Sequence, residues 1–327
     1  MINQQEKSIL TSLVNFLLSN ASVFAPTGDG GGHISKIHSF EEVNWSGGIP
    51  QDSWKQFLLP PTEKIFDFNE EAPQEINQSV SKIVLLGVNV IDLKALSLFD
   101  LVFGGDVYYQ RRRRNIIIVG YGANWPNEYK KLKPFSHNYK EDVLEHVGFD
   151  IFIAQAGSDY KFYTGSNVGQ ELLDQNKLKN YEHIEFAGVI PEEGPDKRML
   201  LLMEKVEKSA GNKIWKDLEK ICIACGKCSI VCPTCYCFDF QDKTEKKQAS
   251  RERVWGNCFY NDFSKVAGGH KYLDNAGKKI FFWYFHKFVR VPFAYRLPGC
   301  VACGRCTKAC PVGIDIMKNI SQILKIK

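Results

Sequence analysis

Two stretches of this sequence carry the same arrangement of cysteines. The first reads Cys222-Ile223-Ala224-Cys225-Gly226-Lys227-Cys228-Ser229-Ile230-Val231-Cys232-Pro233, and the second reads Cys300-Val301-Ala302-Cys303-Gly304-Arg305-Cys306-Thr307-Lys308-Ala309-Cys310-Pro311. Both are C-x2-C-x2-C-x3-C-P, a spacing that suits a pair of 4Fe–4S cubanes. Three cysteines two residues apart wrap a tight loop around one cubane, so that backbone N–H groups also point at its sulfurs. The fourth sits a helical turn further on, and the proline stops that short helix. Its thiolate therefore faces the neighbouring cluster. The ligand sets expected are crossed: Cys222, Cys225, Cys228 and Cys310 for cluster one, and Cys300, Cys303, Cys306 and Cys232 for cluster two. Gly226 and Gly304 hold matching positions, where a side chain would crowd the cube or where φ must be positive.

All eleven cysteines fall in the last third, from Cys222 onward. A secreted disulfide framework would need a signal peptide, and Met1-Ile2-Asn3-Gln4-Gln5-Glu6-Lys7 does not resemble the start of one. Dense cysteines at short spacings in a long chain of this kind mean metal. Zinc needs only four ligands per site and rarely uses this motif twice, so iron–sulfur is the reading. Three cysteines are left over: Cys235, Cys237 and Cys258. They are either buried apolar thiols or ligands of a third cluster whose fourth ligand is not cysteine. His270, in Ala267-Gly268-Gly269-His270, is the nearest candidate for that ligand, or else a core or surface histidine.

Other stretches that invite chemistry are weaker. Thr27-Gly28-Asp29-Gly30-Gly31-Gly32 could cradle phosphate, but no Lys-Ser/Thr pair follows it, so a plain turn is preferred. Phe281-Phe282-Trp283-Tyr284-Phe285-His286-Lys287-Phe288-Val289-Arg290 interleaves aromatics and bases. Packing that keeps water from the clusters is favoured there over stacking on single-stranded nucleic acid. Arg111–Arg114 reads as a solvated charge cluster at a strand end, or as a docking patch for an acidic partner. The formal charge of +5 points to no nucleic acid, because bound clusters are themselves anionic.

The elements that must position these groups divide at about residue 215. Residues 3–20 show helical periodicity, with Ile9, Leu10, Leu13, Val14, Phe16 and Leu17 on one broad face. Lys82–Val88 and Asn115–Gly120 read as buried strands, with a short helix over Asp92–Phe99 between them. Trp54–Leu59 and Lys64–Phe68 read as strands around the turn Pro60-Pro61. Asp150–Gln155 and Tyr160–Tyr163 form a hairpin. Pro195–Lys220 is helical and charged and feeds the cysteines. The fold class expected is α+β: a mixed α/β domain over 1–215, then a mostly helical, ferredoxin-like dicluster domain over 216–327 with an insertion at 238–299. No apolar stretch is long enough to span a membrane, and a cytoplasmic protein is expected.

These residues resemble a known family, the β subunit of cytosolic nickel–iron hydrogenases (sulfhydrogenases) and the related A subunit of anaerobic sulfite reductase. The resemblance covers Val23-Phe24-Ala25-Pro26, Leu58-Leu59-Pro60-Pro61-Thr62-Glu63 and Gly87-Val88 with Asp92. It is densest from Cys222 to Pro311, through Cys232-Pro233-Thr234-Cys235-Tyr236-Cys237, Trp255 with Cys258, Ala267–His270 and His286-Lys287. It implies an electron relay between a flavin subunit that handles NAD(P)H and a partner with the terminal catalytic site. Family members often carry N-terminal cysteines, one near Ile91 and others after the strand at 115–119. This chain has none, and no cofactor is assigned to 1–215, whose expected role is partner docking.

The reading is thus an electron-transfer subunit, without catalytic residues of its own and without membrane insertion. The competing enzyme reading is a reductase with its own substrate site in the N-terminal domain. It lacks any convergent polar set before Cys222.

Overall fold

The computed structural model describes residues 4–29, 32–68, 73–75, 81–125, 143–190, 197–245 and 248–326 of the chain. Gly30 and Gly31 of the glycine-rich loop, and Pro195, lie outside the described residues. The described strands in chain order are β1 (Ser22–Thr27), β2 (His33–Lys36), β3 (Thr62–Phe68), β4 (Pro73–Glu75), β5 (Ile83–Val88), β6 (Ile116–Gly122), β7 (Ile151–Ala156), β8 (Asp159–Thr164), β9 (Tyr181–His183), β10 (Phe238–Glu245) and β11 (Gln248–Trp255). They form two sheets, ordered β2-β1-β5-β6-β7-β8-β9 and β10-β11-β3-β4.

The chain divides into two compact units that interleave in sequence. One comprises Met1–Trp54, Val80–Arg198 and Tyr295–Cys303; the other comprises Lys55–Ser79, Met199–Ala294 and Gly304–Lys327.

The first unit holds the seven-stranded sheet. Its centre is parallel, β1 to β5 to β6 to β7, with β2 and β8 antiparallel at its flanks and β9 parallel to β8 beyond. Parallel strands are covered on both faces, which is why β5 and β6 read as unbroken apolar runs rather than alternating ones. The helix Gln4–Asn20 lays Leu10, Leu13, Val14 and Leu17 against Val23, Val84, Val119 and Ile151 in a single core. The helix Val90–Val102 starts where Asn89 Oδ1 accepts the Asp92 N–H at 2.9 Å, satisfying one of the helix's open donors. The arginine run occupies the last turn of the helix Val107–Arg113, where cations suit the helix C-terminus. Arg113 pairs with Asp100 at 3.1 Å, and the buried Tyr109 hydroxyl donates to the same carboxylate at 2.6 Å.

The second unit holds the antiparallel sheet and the helices around the cysteines. Within it β3 pairs with β11 through a bulge between Arg251 and Glu252. The buried ion pair Arg253–Glu63, at 2.6 Å, ties the same two strands together. The expected helical content is therefore joined by a sheet, whose longest strands, β10 and β11, come from the insertion. The run Trp54–Leu59, expected as a strand, instead contains the short helix Lys55–Leu58. Periodicity does not separate helix from strand in so short an apolar run. Pro195–Lys220 resolves, from residue 197 on, into the helices Lys197–Lys208 and Lys213–Glu219, with Asn212 capping the second. Met199, Leu202, Val206 and Leu218 are buried there, whereas Leu201 is exposed. No helix among the described residues is long and apolar enough to cross a membrane.

Candidate metal centre

The two cysteine loops share one backbone. Ala224 and Ala302, the residues before the second cysteine of each motif, have φ of 52° and 55°. A left-handed alanine is costly, and it persists only where the surroundings fix it. Here the turn aims each alanine N–H at the motif's first sulfur, Ala224 at Cys222 Sγ and Ala302 at Cys300 Sγ, both 3.4 Å. Gly226 and Gly304 follow with φ of 75° and 77° and start the short helices Lys227–Ile230 and Arg305–Ala309. At Gly226 glycine is required twice over: a Cβ would stand 2.3 Å from Asn257 Nδ2, which donates to the Gly226 carbonyl at 2.9 Å.

Within the second unit Cys222, Cys225, Cys228 and Cys310 line one pocket, with Cys306 also at its wall. The rest of the lining is apolar and includes Phe259, Ile280, Trp283, Tyr284, Pro311 and Val312, around about 530 Å³ of empty space with the mouth included. Packing fixes these walls. Tyr284 stacks edge-on against Trp215 of the helix Lys213–Glu219, at 5.3 Å between ring centroids. Its hydroxyl accepts from Asn319 of the helix Ile316–Ile323 at 2.9 Å. Lys279 Nζ donates to the Phe259 carbonyl at 2.8 Å and pins the loop after Cys258. Burial raises the Cys222 thiol above its usual pKa and pushes Cys228 up to about 12. Such thiols stay protonated in an apolar wall until a cation takes the proton's place.

These features fit a cubane. The walls are apolar, the sulfurs come from both motifs, and N–H groups point at sulfur. Trp283 adds a further sign: its Nε1–H is buried and has no hydrogen-bond partner among the described residues. A buried donor without an acceptor costs roughly 1–3 kcal/mol, which a sulfur acceptor in the pocket would offset. No group of three or more His, Cys, Asp or Glu side chains among the described residues is arranged to hold a single metal ion. A cubane holds its thiolates further apart than one ion does.

The other cysteines divide as follows. Cys300 and Cys303 fall in the first unit, Cys306 in the second. Cys232 is buried; Lys287 Nζ donates to its sulfur at 3.0 Å, and the Thr234 hydroxyl stands 3.2 Å from it. A hydrogen bond from Cys235, and next the Lys287 ammonium, hold the Cys232 thiol well below the usual range. Cys235, Cys237 and Cys258 line a second pocket of the same unit, with Thr234, Tyr236, Asn257, Trp283, His286 and Lys287. His270 is exposed, lies edge-on to Tyr272, and does not line that pocket. The histidine that does is His286.

Spacing alone did not single out Lys55 and Lys287. Both are buried at 3% exposure. Lys55 Nζ donates to the Cys235 and Ser229 carbonyls at 3.1 and 3.2 Å and lies 4.4 Å from the Trp255 ring. The aromatic–basic segment is the helix Ala276–Phe285 running into a π-helical turn, His286–Arg290. Trp283, Tyr284, Lys287 and Phe288 are buried, which is the packing role expected of it.

Comparison with known proteins agrees with this geometry. Residues 221–314 match the 4Fe–4S dicluster domain. The chain is also similar to the sulfhydrogenase 2 subunit beta of Pyrococcus furiosus, at 29% identity over 315 residues, 88% of this chain and 90% of the relative. The resemblance to hydrogenase β subunits therefore stands along nearly the whole chain. No solved structure matches the chain.

Proposed function

We propose that this chain relays electrons through two 4Fe–4S clusters, between a flavin subunit that handles NAD(P)H and a subunit bearing the terminal catalytic site. The observation that carries the reading is the first pocket, where the last cysteine of one motif joins the first three of the other. The ligand sets are Cys222, Cys225, Cys228 and Cys310 for one cluster, and Cys300, Cys303, Cys306 and Cys232 for the other. The second set rests on its matching spacing and on the matching Ala302 turn. Bound clusters supply one-electron carriers. The chain's residues keep water out through Phe259, Ile280 and Tyr284, hold the sulfurs by the Ala224 and Ala302 N–H groups, and place the Lys287 cation beside Cys232. The seven-stranded unit takes the docking role. The similarity to a β subunit supports a place in a multisubunit enzyme.

The test is the variant Cys310→Ala in the full chain, purified without oxygen. Electron paramagnetic resonance of the reduced protein should show loss of the cluster nested in Cys222–Cys228 with the other retained. Loss of only the cluster bound by Cys300, Cys303 and Cys306 would show that the pairing is not crossed. The same wild-type preparation, free of flavin subunits, should be reduced by dithionite yet show no NAD(P)H–dye activity. Robust activity would make it a reductase instead.

A further inference from the structure

The second pocket gathers chemistry that two clusters do not use. Its three thiols come from separate places: Cys235 and Cys237 from the extended stretch after the first motif, and Cys258 from the loop after β11. The backbone locks them together, since Gly256 N–H donates to the Cys237 carbonyl at 2.9 Å, two residues before Cys258. The fourth group is His286, delivered by the π-helical turn that replaces ordinary α-helix there. One-turn π-bulges often mark functional sites because they reset which side chains face a common wall. Here the turn presents His286 and its neighbour Lys287 to one pocket. The Tyr236 hydroxyl and His286 Nε2 stand 3.1 Å apart, which fixes the ring.

We propose that Cys235, Cys237, Cys258 and His286 hold a third iron–sulfur cubane, with three thiolates and one imidazole. Plain packing is the competing account of three buried thiols, and it would surround them with apolar side chains. Trp283 and Val291 do line this pocket, but so do Ser229, Thr234, Tyr236, Asn257, His286 and Lys287 beside the cysteines. Lys287 and the nearby Lys55 bring two buried cations to the thiols. A thiolate-bound cluster is an anion, and ammonium groups beside it suit that charge. A single ion is a poor occupant, because no three ligating side chains among the described residues are arranged for one. The same holds for the cysteines of the first pocket among the described residues. Trp283 lines both pockets, and its buried indole N–H has no hydrogen-bond partner among the described residues. The third site would therefore stand next to the first, as a step in or out of the relay. The proposal builds on the relay reading but is separable from it by counting iron.

The experiment compares the full chain with Cys237→Ala/Cys258→Ala and with His286→Ala, all prepared without oxygen, by iron and acid-labile sulfide analysis and by electron paramagnetic resonance. Wild type should hold about twelve irons, and the double cysteine variant about eight with both motif signals kept. His286→Ala should keep the third cluster's sulfide but lose one iron, with a three-iron signal on oxidation. A wild-type content of about eight, with both motif signals present, overturns the third site and leaves the relay standing. A content of about four or less overturns the relay and this site with it. An unchanged His286→Ala spectrum overturns the ligand set proposed. The wild-type count decides the matter even where a variant does not fold.

Discussion

At the scale of single residues, the twin loops make a controlled comparison. Gly226 and Gly304 share a left-handed backbone, but a Cβ at 226 would collide with Asn257, whereas at 304 nothing lies within 4 Å. Gly304→Ala should therefore cost about 1–2 kcal/mol, the backbone term alone. Gly226→Ala should cost more and should loosen the first pocket. Denaturant unfolding of the two variants checks the order, and equal losses would mean that the Asn257 contact is slack. Lys287 is the second case, because its ammonium donates to Cys232 at 3.0 Å. Replacing it with Met removes a charge-assisted bond to a proposed ligand sulfur, which makes reduction of that cluster harder. A drop in potential on the order of 50 mV is expected by voltammetry, since about 1.4 kcal/mol corresponds to 59 mV for one electron. The two cysteine motifs and both glycines were legible because covalent spacing fixes them, and the crossed pairing remains the proposal that Cys310→Ala tests. Lys55, Lys287 and His286 were not, because their places depend on how distant segments pack. His286-Lys287 stood in the resemblance without a role. His270, four residues from Val266, drew attention by neighbouring glycines and is exposed.

At the scale of elements, long periodic segments read true: the helix at the start, the buried strands β5 and β6, and the hairpin of β7 with β8. Short apolar runs did not, and Trp54–Leu59 became a helix of one turn. The insertion hid its strands β10 and β11 because their alternation is diluted by charge, as where Asp242 faces Arg251. The helix Val90–Val102 carries a testable oddity. The ammonium of Lys94 is buried, and burial lowers its pKa to about 7. Folding then disfavours the proton that the unfolded chain holds up to about pH 10.4. Between about pH 7 and 10 the unfolded state binds more protons, so stability should rise with pH by up to about 1.4 kcal/mol per unit. Below pH 7 both states are charged and the slope vanishes. Lys94→Met should flatten that rise and stabilise the protein at neutral pH. Thermal unfolding of both proteins from pH 6 to 10 measures it, and parallel curves would place the ammonium in contact with water.

At the scale of the whole molecule, the segments of the two units alternate along the sequence. The sheet that flanks the cysteines takes β3 from the first quarter of the sequence and pairs it with β11. A boundary near 215, drawn from where the cysteines begin, follows composition and cannot see a strand contributed from residue 62. The fragment 216–327 should accordingly fail to fold alone, since it leaves β11 as an open edge and strands Arg253 without Glu63. Size-exclusion chromatography and circular dichroism of that fragment are the check, and a monomeric, cluster-loaded fragment would refute it. The same pairing sets a clock on biosynthesis. Roughly 180 residues separate the end of β3 from the start of β11. At ribosomal rates of about 5–20 residues per second, β3 waits about 10 to 40 s for its partner. Until β11 is made, β3 presents an open edge while the cysteines still lie ahead in translation, a window in which chaperones and cluster-delivery machinery compete for the chain.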